Sequence, residues 1–368
     1  MQPRGVCNAG LGRNIRHPRL TVVAAAGSAT AGVKVERASF FAPNRSNLNL
    51  FYDLNVGRMM LHEAVVNPDS KACALDATGL LIGLLKQQIA DSFAATLEQA
   101  APAHAEAVGG LAELSLRTIA ASDALYHDTE HTTQVTLVGL AMLEGRQRLD
   151  GDVTLAEWVN AVVAMLCHDI GFVRGLLAED SATCVATGID DATVEIGMGH
   201  TDARLMPLHV DRGKTFVARY LPLARLETAG LDVARVQANI ERTRFPVPDD
   251  SGHAACDDFP GLVRAADLIG QLSDRRYLFK LPAVYFELQE NGESDRQGYR
   301  VPGDLLAGYP DFYRRQVAPW VGPGLGYLEQ TMAGRQVVAQ LYANLKGAEQ
   351  GRDGLMQGLL GAGLPACR

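Results

Sequence analysis

The sequence lacks the features that mark several large classes of protein. It has no dense cluster of basic residues, and its 34 Lys and Arg are outnumbered by 42 Asp and Glu, which gives a net charge of -8. This balance argues against a protein that grips a nucleic-acid polymer through its phosphates. The sequence also lacks any uninterrupted apolar run near the ~20 residues that a membrane-spanning helix needs, so we expect no membrane partner.

Paired cysteines are also missing. The six cysteines are scattered, with no C-x-x-C motif and no compact framework of the kind that staples small secreted domains. We therefore expect reduced thiols and a cytoplasmic protein. Residues 1–35 contain five Lys and Arg residues and no acid. This composition suggests a cleaved N-terminal targeting segment, but the apolar stretch "TVVAAAGSATAG" is weak and broken by Gly and Ser, which favours a disordered extension.

Strand-like alternation is almost absent, and helical periodicity takes its place. From residue 74 onward, apolar residues recur every three or four positions, as on the buried face of a helix. The pattern predicts helices over residues 74–101, 104–126, 132–149, 154–172, 210–222, 232–245, 261–281 and 325–347. The 154–172 stretch is the most apolar. It opens with Thr154 three residues before Glu157, which is typical of a capped helix.

The chain divides into three regions by composition. Residues 1–73 have little periodicity and are interpreted as an N-terminal extension, partly disordered. Residues 74–346 contain no internal repeat and no linker, and we expect one all-α domain there. Within it, loops are predicted over one face at 281–323, where Pro, Gly and aromatic residues are frequent. The Gly-rich residues 347–368 are predicted to form a flexible tail.

Two acidic residues interrupt apolar helices. Asp169 follows His168 at the end of the most apolar helix, and Asp267 lies within the apolar face of "LVRAADLIGQL". Burying a charged carboxylate is costly unless ion pairing, hydrogen bonds or a metal ion compensates it. A metal ion that gathers imidazole and carboxylate ligands from separate helices would compensate both residues, and helix bundles host such sites.

A pair of histidines offers further ligands. In "YHDTEHTTQV", His127 and His131 are four residues apart, so on a helix they would share one face. One could bind metal while the other, a turn away, transfers a proton. The alternative is a solvated helix face on which both histidines hydrogen-bond Asp128 and Glu130.

Simpler alternatives exist for the other residues as well. His168 and Asp169 could form an ion pair at a helix end, and Asp267 could pair with Arg264 or Arg275. The metal site would be excluded only if all of these alternatives were true at once. The order of the motifs along the chain therefore favours the metal site.

This order, His, then His-Asp, then Asp, each on a separate helix, resembles that of the HD superfamily of metal-dependent phosphohydrolases. The stretches "YHDTEHTTQV", "CHDIG" and "AADLIGQ" more narrowly resemble the catalytic domain of class I cyclic-nucleotide phosphodiesterases, over residues 110–280. Asp128 departs from that pattern, which has Asn at this position. The resemblance implies an all-α fold, namely an HD-domain helical bundle with a metal site in its core.

The same resemblance assigns roles to the motif residues. The implied metal ligands are His131, His168, Asp169 and Asp267, with Asp169 bridging two divalent ions drawn from Zn, Mn, Fe, Ni, Co or Mg. The implied activity is hydrolysis of a 3',5'-cyclic nucleotide to the 5'-monophosphate. A metal-activated hydroxide would attack phosphorus, and His127 would act as the general acid that protonates the leaving alkoxide.

A polar stretch between the helices supplies further candidates. His200 or His209 could bind a second metal ion, as extra histidines do in some HD proteins, and Lys214 or Arg212 could face a substrate phosphate. Gln271, a turn beyond the last motif aspartate, could hydrogen-bond a base or a metal-bound water. The alternatives are a capped loop with surface charges for the histidines and a satisfied polar group at the bundle rim for Gln271.

Other functions stay open beside the cyclic-nucleotide phosphodiesterase. The HD superfamily also contains enzymes that hydrolyse other nucleotides. It further contains diiron oxygenases, in which extra histidines accompany oxygen-dependent cleavage of C–C or C–P bonds. A non-catalytic ligand-binding module that keeps the ligands only for stability is the alternative outside enzymes. The expected partner is a small phosphorylated substrate, and a homodimer stays open.

Overall fold

The structure is a computed structural model that describes residues 49–53, 58–62, 76–97, 100–224 and 229–351. Two strands, β1 (Asn49–Asp53) and β2 (Arg58–His62), form an antiparallel pair ahead of the helices. The predicted disorder in the extension and most of the predicted flexible tail lie outside the described residues.

Helices dominate the described ranges, as the periodicity predicts. The α-helices are α1 (Ala77–Thr96), α2 (Ala103–Ile119), α3 (Thr129–Leu149), α4 (Leu155–Cys167), α5 (His209–Tyr220), α6 (Val233–Glu241), α7 (Phe259–Ser273), α8 (Tyr277–Glu290), α9 (Glu293–Gln297), α10 (Pro302–Phe312), α11 (Ala318–Leu328) and α12 (Met332–Glu349). Short 3-10 helices lie at Ile170–Phe172, Asp202–Leu205 and Leu221–Ala224, and a π-helical turn lies at Tyr313–Val317. The strands β3 (Cys184–Ala186) and β4 (Thr193–Glu195) form a small hairpin. The all-α class is confirmed.

Helix α4 forms the centre of the bundle. Every residue from Trp158 to Cys167 is buried, and α2, α3, α6 and α7 pack around it. In the part of the chain that the structure describes, Leu155–Phe172 is the one segment long and apolar enough to cross a membrane, and 83% of it is buried inside the bundle. The place of α4 in the core therefore accounts for its apolar character.

Short polar side chains begin the helices that carry the predicted ligands. The Asp128 carboxylate accepts hydrogen bonds of 2.9 Å from two backbone N–H groups in the first turn of α3. Asp258 and Thr154 cap α7 and α4 by the same kind of contact, the latter as its spacing predicts. The pattern of class I cyclic-nucleotide phosphodiesterases has Asn at position 128. Because Asn and Asp are both strong N-cap residues, Asp128 can form the same cap.

The prediction of loops over residues 281–323 is wrong. Helices α8, α10 and α11 occupy most of this segment. Pro302 and Pro319 lie in the first turns of α10 and α11, where a missing N–H is tolerated because that group has no partner within the helix. Pro282, Pro310 and Pro323 lie further inside α8, α10 and α11. The frequency of proline alone therefore does not indicate loops here.

Two of the predicted helices are each divided in two. The 261–281 pattern covers α7 and the start of α8. They are separated because Asp274 adopts an extended conformation, with φ -60° and ψ 126°, and its carboxylate accepts from the backbone N–H two residues on. The 325–347 pattern covers the end of α11 and most of α12, whose N-cap is Thr331. In both cases a short polar side chain bonds the local backbone and interrupts the helix.

Helices α3 and α7 make the most extensive contact in the described bundle. They approach closely at Gly270, where an added Cβ would lie 2.9 Å from Val135 Cα. Gly270 lies three residues after Asp267, and Val135 lies four residues after His131, so this contact is one turn from both predicted ligands. The missing side chain at Gly270 therefore sets the spacing at which the two ligand-bearing helices meet.

We expect Gly270→Ala to lower the free energy of unfolding by about 1–3 kcal/mol, because the new methyl group must push α3 away from α7. The better helix propensity of alanine offsets this by at most about 1 kcal/mol. The matched control is Gly83→Ala, in an exposed part of α1 where an added Cβ meets no atom within 4 Å. It should be neutral or stabilising. Urea denaturation measures both, and equal stability of the two variants would contradict the close approach.

Candidate metal centre

Three segments bring the four predicted ligands together. His131 lies in the first turn of α3, Asp267 lies in the middle of α7, and His168 and Asp169 directly follow the last residue of α4. The ligands are therefore carried by three helices that pack against one another in the core. The Asp267 side chain is 18% exposed, whereas the other three are at most 4% exposed.

The imidazole and carboxylate atoms converge. His131 Nε2 lies 3.2 Å from Asp169 Oδ2 and 3.4 Å from Asp267 Oδ1. His168 Nε2 lies 3.1 Å and 3.6 Å from the same two oxygens, and the two Nε2 atoms are 3.4 Å apart. Ligands about 2.0–2.2 Å from one ion lie about 2.8–3.6 Å apart at octahedral or tetrahedral angles. The spacing of His131, His168 and Asp267 therefore fits a single ion between them, and Asp169 Oδ2 lies within 3.2 Å of both imidazole nitrogens.

Hydrogen bonding leaves these atoms directed at one another. His168 Nδ1 donates to the Met165 carbonyl at 2.7 Å, so the other nitrogen of the ring is the one available to a metal ion. Asp169 Oδ2 is buried and makes no hydrogen bond of good geometry with any described residue, although both Nε2 atoms lie within 3.2 Å of it. A buried carboxylate oxygen without a donor is costly, and a cation beside it would remove that cost. The orphaned oxygen and the mixed N and O donors both fit a divalent metal ion.

The charges of the cluster balance one another. Burial by itself would raise the pKa of the Asp169 and Asp267 carboxyl groups, but the neighbouring imidazoles outweigh it and lower both pKa values. Burial would lower the pKa of His131 and His168, and the carboxylates outweigh it and raise both. The carboxylates therefore favour the protonated form of both imidazoles. Because a metal ion binds neutral imidazole, metal binding would release protons.

The alternative pairing of Asp267 with Arg264 is wrong. Arg264 donates instead to the backbone carbonyls of His253 at 2.8 Å and Ala255 at 2.6 Å. Among the described residues, Asp267 forms ion pairs with His131 and His168 and with neither Arg264 nor Arg275.

His209, one of the two further histidine candidates, reaches the same cluster. It opens α5, and its Nε2 lies 3.7 Å from Asp169 Oδ1, the second oxygen of the carboxylate shared by His131 and His168. Its Nδ1 donates to the Met206 carbonyl at 2.5 Å. Burial lowers the pKa of His209 and so favours its neutral form. Asp169 Oδ2 therefore faces His131 and His168, whereas Asp169 Oδ1 faces His209.

The structure does not bring His200 and Lys214 to the cluster. His200 Nδ1 lies 3.1 Å from Glu290 Oε1 at the end of α8, and its side chain is 46% exposed. Lys214 Nζ forms a 2.6 Å ion pair with Glu241 of α6. Each of these side chains is held by a carboxylate on another helix.

Arg212 and Gln271 also have partners within the protein. The fully buried Arg212 guanidinium pairs with Asp180 at 2.8 Å and donates to the carbonyls of Gly171 and Val173. It holds the turn after α4, so the expectation that it faces a substrate phosphate is wrong. Gln271 Nε2 donates to a tyrosine hydroxyl at 2.9 Å, which matches the alternative of a satisfied polar group.

His127 lies just before α3 rather than on it. Asp128 is the N-cap, so the expected placement of both histidines on one helical face is wrong. The rings of His127 and His131 nevertheless meet, with centroids 5.5 Å apart. His131 is 3% exposed, which removes the alternative of a solvated face.

A buried carboxylate that the sequence reasoning missed fixes His127. Glu287 Oε2 of α8 lies 2.6 Å from His127 Nδ1, and Oε1 accepts from the N–H groups of Tyr126 at 2.7 Å and His127 at 3.3 Å. Burial alone would lower the pKa of His127, but the Glu287 carboxylate outweighs it and raises the pKa to about 9. The signal was available, because Glu287 interrupts the apolar run "VYFELQE" as Asp267 interrupts its own helix.

The cluster has one open side. The side chains of His127, His209 and Asp267 are 19%, 16% and 18% exposed, whereas those of His131 and His168 are 2% and 1% exposed. Solvent therefore reaches the cluster at the first three side chains.

Comparison with known protein families identifies the family to which the chain belongs. The profile of the Npun_R2479-like family matches residues 75–351, three quarters of the sequence. The chain belongs to this family. The match covers all the helices α1 to α12 and every residue of the cluster. No curated protein matches the chain.

We expect Asp169→Asn to bind a divalent ion at least about 10-fold more weakly than the unchanged protein, because it removes the charge that both imidazoles face. Elemental analysis after dialysis against Mn or Zn measures the bound metal. His200→Ala is the matched control and should keep its metal, since His200 is held at Glu290. Full metal content in Asp169→Asn would discard the ligand assignment.

In metal-free protein, Glu287→Gln should lower the pKa of His127 from about 9 toward the ordinary value of about 6.5. Because the pKa is raised in the folded state, His127 contributes stability that is complete below pH ~6.5 and is lost as the pH rises through about 9. NMR titration of the imidazole C–H signals measures the pKa. An unchanged value in the variant would mean that Glu287 is not its cause.

Proposed function

We propose that the chain is a metal-dependent phosphohydrolase of the HD type and that its substrate is a 3',5'-cyclic nucleotide, opened to the 5'-monophosphate. The observation that carries this proposal is a fixed imidazole, His127, beside a buried cluster of two imidazoles and two carboxylates. Metal-dependent hydrolysis of a phosphodiester can use these two parts, a metal site and a separate proton donor.

The metal ligands follow from the cluster. His131, His168, Asp169 and Asp267 would hold one divalent ion, and Asp169 Oδ1 and His209 would contribute to a second. A bound divalent ion supplies Lewis acidity, which polarises a phosphoryl oxygen and makes water more acidic. The N and O donors suit Zn, Mn, Fe, Ni, Co or Mg.

His127 is placed to supply the proton that the leaving group needs. Glu287 engages its Nδ1, so Nε2 is the nitrogen that can donate to a substrate. With a pKa of about 9, the ring is protonated at neutral pH. A water oxygen forms the new bond to phosphorus and keeps one of its protons, the bond from phosphorus to the 3' oxygen breaks, and the proton of His127 Nε2 passes to that oxygen. The second proton of the water is released to solvent, from which His127 is protonated again.

The resemblance to the HD superfamily supports the same proposal. The motif residues that it names come from separate parts of the chain and meet in space within an all-α bundle. The described cysteines Cys167, Cys184 and Cys256 are free thiols, which agrees with a cytoplasmic site of action on a small nucleotide.

A second candidate function is oxygen-dependent diiron chemistry, and the position of His209 favours it. An additional imidazole 3.7 Å from the second oxygen of Asp169 would suit a site for a pair of iron ions. Iron in the purified protein together with an oxygen requirement for turnover would select this candidate over hydrolysis.

The direct test is purified protein with added Mn against a panel of cyclic and linear nucleotides, with the products separated by chromatography. Release of 5'-monophosphates from cyclic nucleotides is the expected result. Turnover of linear nucleotides alone would replace the cyclic substrate with another phosphoester, and no turnover of any member would reject the hydrolase.

We expect His127→Ala to keep its metal and to lose about 10²- to 10⁴-fold in turnover of a cyclic nucleotide, because the alkoxide then leaves without a proton. The loss should be much smaller for bis(p-nitrophenyl) phosphate, whose leaving group departs unprotonated. His200→Ala should match the unchanged protein on both substrates. Equal losses on both substrates in His127→Ala would mean that His127 orders the site, and a loss of metal would make it a ligand.

A further inference from the structure

Three aromatic rings form a stack beside the cluster. Phe172 ends the 3-10 turn that follows Asp169, and its ring centroid lies 4.4 Å from that of His127 and 4.5 Å from that of His209. The ring planes are 12° and 22° apart, so both imidazoles are in stacking contact with the phenyl ring. One face of a phenyl ring has room for only one stacked imidazole, so the two occupy opposite faces.

The backbone fixes the turn that carries Phe172. Gly171 approaches α5 so closely that an added Cβ would lie 1.9 Å from the carbonyl oxygen of His209. Arg212 Nε donates to the Gly171 carbonyl at 2.8 Å, and Phe172 N–H donates to the Asp169 carbonyl at 3.0 Å. The phenyl ring, which is 1% exposed, is therefore held in place relative to both the metal-ligand segment and α5.

Each imidazole is held at one edge by a hydrogen bond and on one face by Phe172. The edge contacts are His127 Nδ1 with Glu287 at 2.6 Å and His209 Nδ1 with Met206 at 2.5 Å. A single hydrogen bond lets an imidazole tilt about its axis, and a ring stacked on its face removes that freedom. The contact with Phe172 therefore decides where the two Nε2 atoms point on the open side of the cluster.

We propose that Phe172 is a positioning residue whose two faces hold His127 and His209 in parallel. In this role it sets the direction of the His127 Nε2 proton relative to the cluster and keeps His209 Nε2 facing Asp169. The effect on turnover rests on the proposed hydrolysis, whereas the ordering of the two rings does not.

The kinetic test compares Phe172→Met with Phe172→Tyr. Methionine keeps the apolar volume but has no flat faces, and turnover of a cyclic nucleotide should fall by about 10- to 100-fold. Turnover of bis(p-nitrophenyl) phosphate should fall by less than about threefold, because it needs no proton donor. Tyrosine keeps both faces and should retain the leaving-group dependence of the unchanged protein.

Phe93→Met is the matched control for loss of a buried ring. Phe93 is 2% exposed and packs on Trp158 in the core. This variant should lose stability without any change in leaving-group dependence. Equal losses on both substrates in Phe172→Met, or a Phe172→Tyr variant that behaves like Phe172→Met, would overturn the proposal.

A measurement on metal-free protein keeps the proposal separate from the proposed function. The short contact with Glu287 should give His127 a far-downfield Nδ1 proton signal in NMR spectra, assigned by its loss in Glu287→Gln. The signal should stay narrow in Phe172→Tyr and Phe93→Met and broaden in Phe172→Met. If the unchanged protein hydrolyses no phosphoester, the proposed function fails, and a signal that stays narrow in Phe172→Met overturns the positioning role independently.

Discussion

Burial of the Asp169 carboxylate is the constraint on which the rest of the structure depends. The side chain is 4% exposed at the end of the most buried helix, where an uncompensated charge would be prohibitive. Imidazoles of His131 and His168 face one of its oxygens, and His209 faces the other. These imidazoles come from different helices, so α3, α4 and α5 must meet at this point. Glycines at the contacts of α3 with α7 and of α5 with the turn that follows α4 make that approach sterically possible.

The same constraint explains how much could be predicted from the sequence. An acid within an apolar helix is visible without a structure, and together with the histidines it predicted four residues that do converge. The choice between His200 and His209 could not be made, because both lie in a stretch without periodicity. In such a stretch the direction of a side chain depends on tertiary contacts, here with Glu290 in one case and Asp169 in the other.

The wrong prediction of secondary structure at helix α8 explains why two acidic residues near the site were not predicted. Because the frequency of proline predicts loops in this segment, its acidic residues are not predicted to be buried. Two of them lie one turn apart and each holds a separate segment beside the cluster. Glu287 binds the backbone before α3, and Glu290 accepts from the backbone N–H and hydroxyl of Thr201. The side chains that hold the imidazoles in position therefore come from α8, the segment that was wrongly predicted to form loops.

The direction of α4 has an electrostatic consequence for the whole core. The aligned peptide dipoles of a helix place about half a negative charge at its C-terminal end, and that end of α4 lies at the cluster. Little water reaches this point, so the field of the helix is weakly screened and favours a cation there. An ion bound only by the folded chain raises its stability by mass action. The proposed metal site would thus make the stability of the hydrophobic core vary with the concentration of free metal, and a chelator would lower that stability.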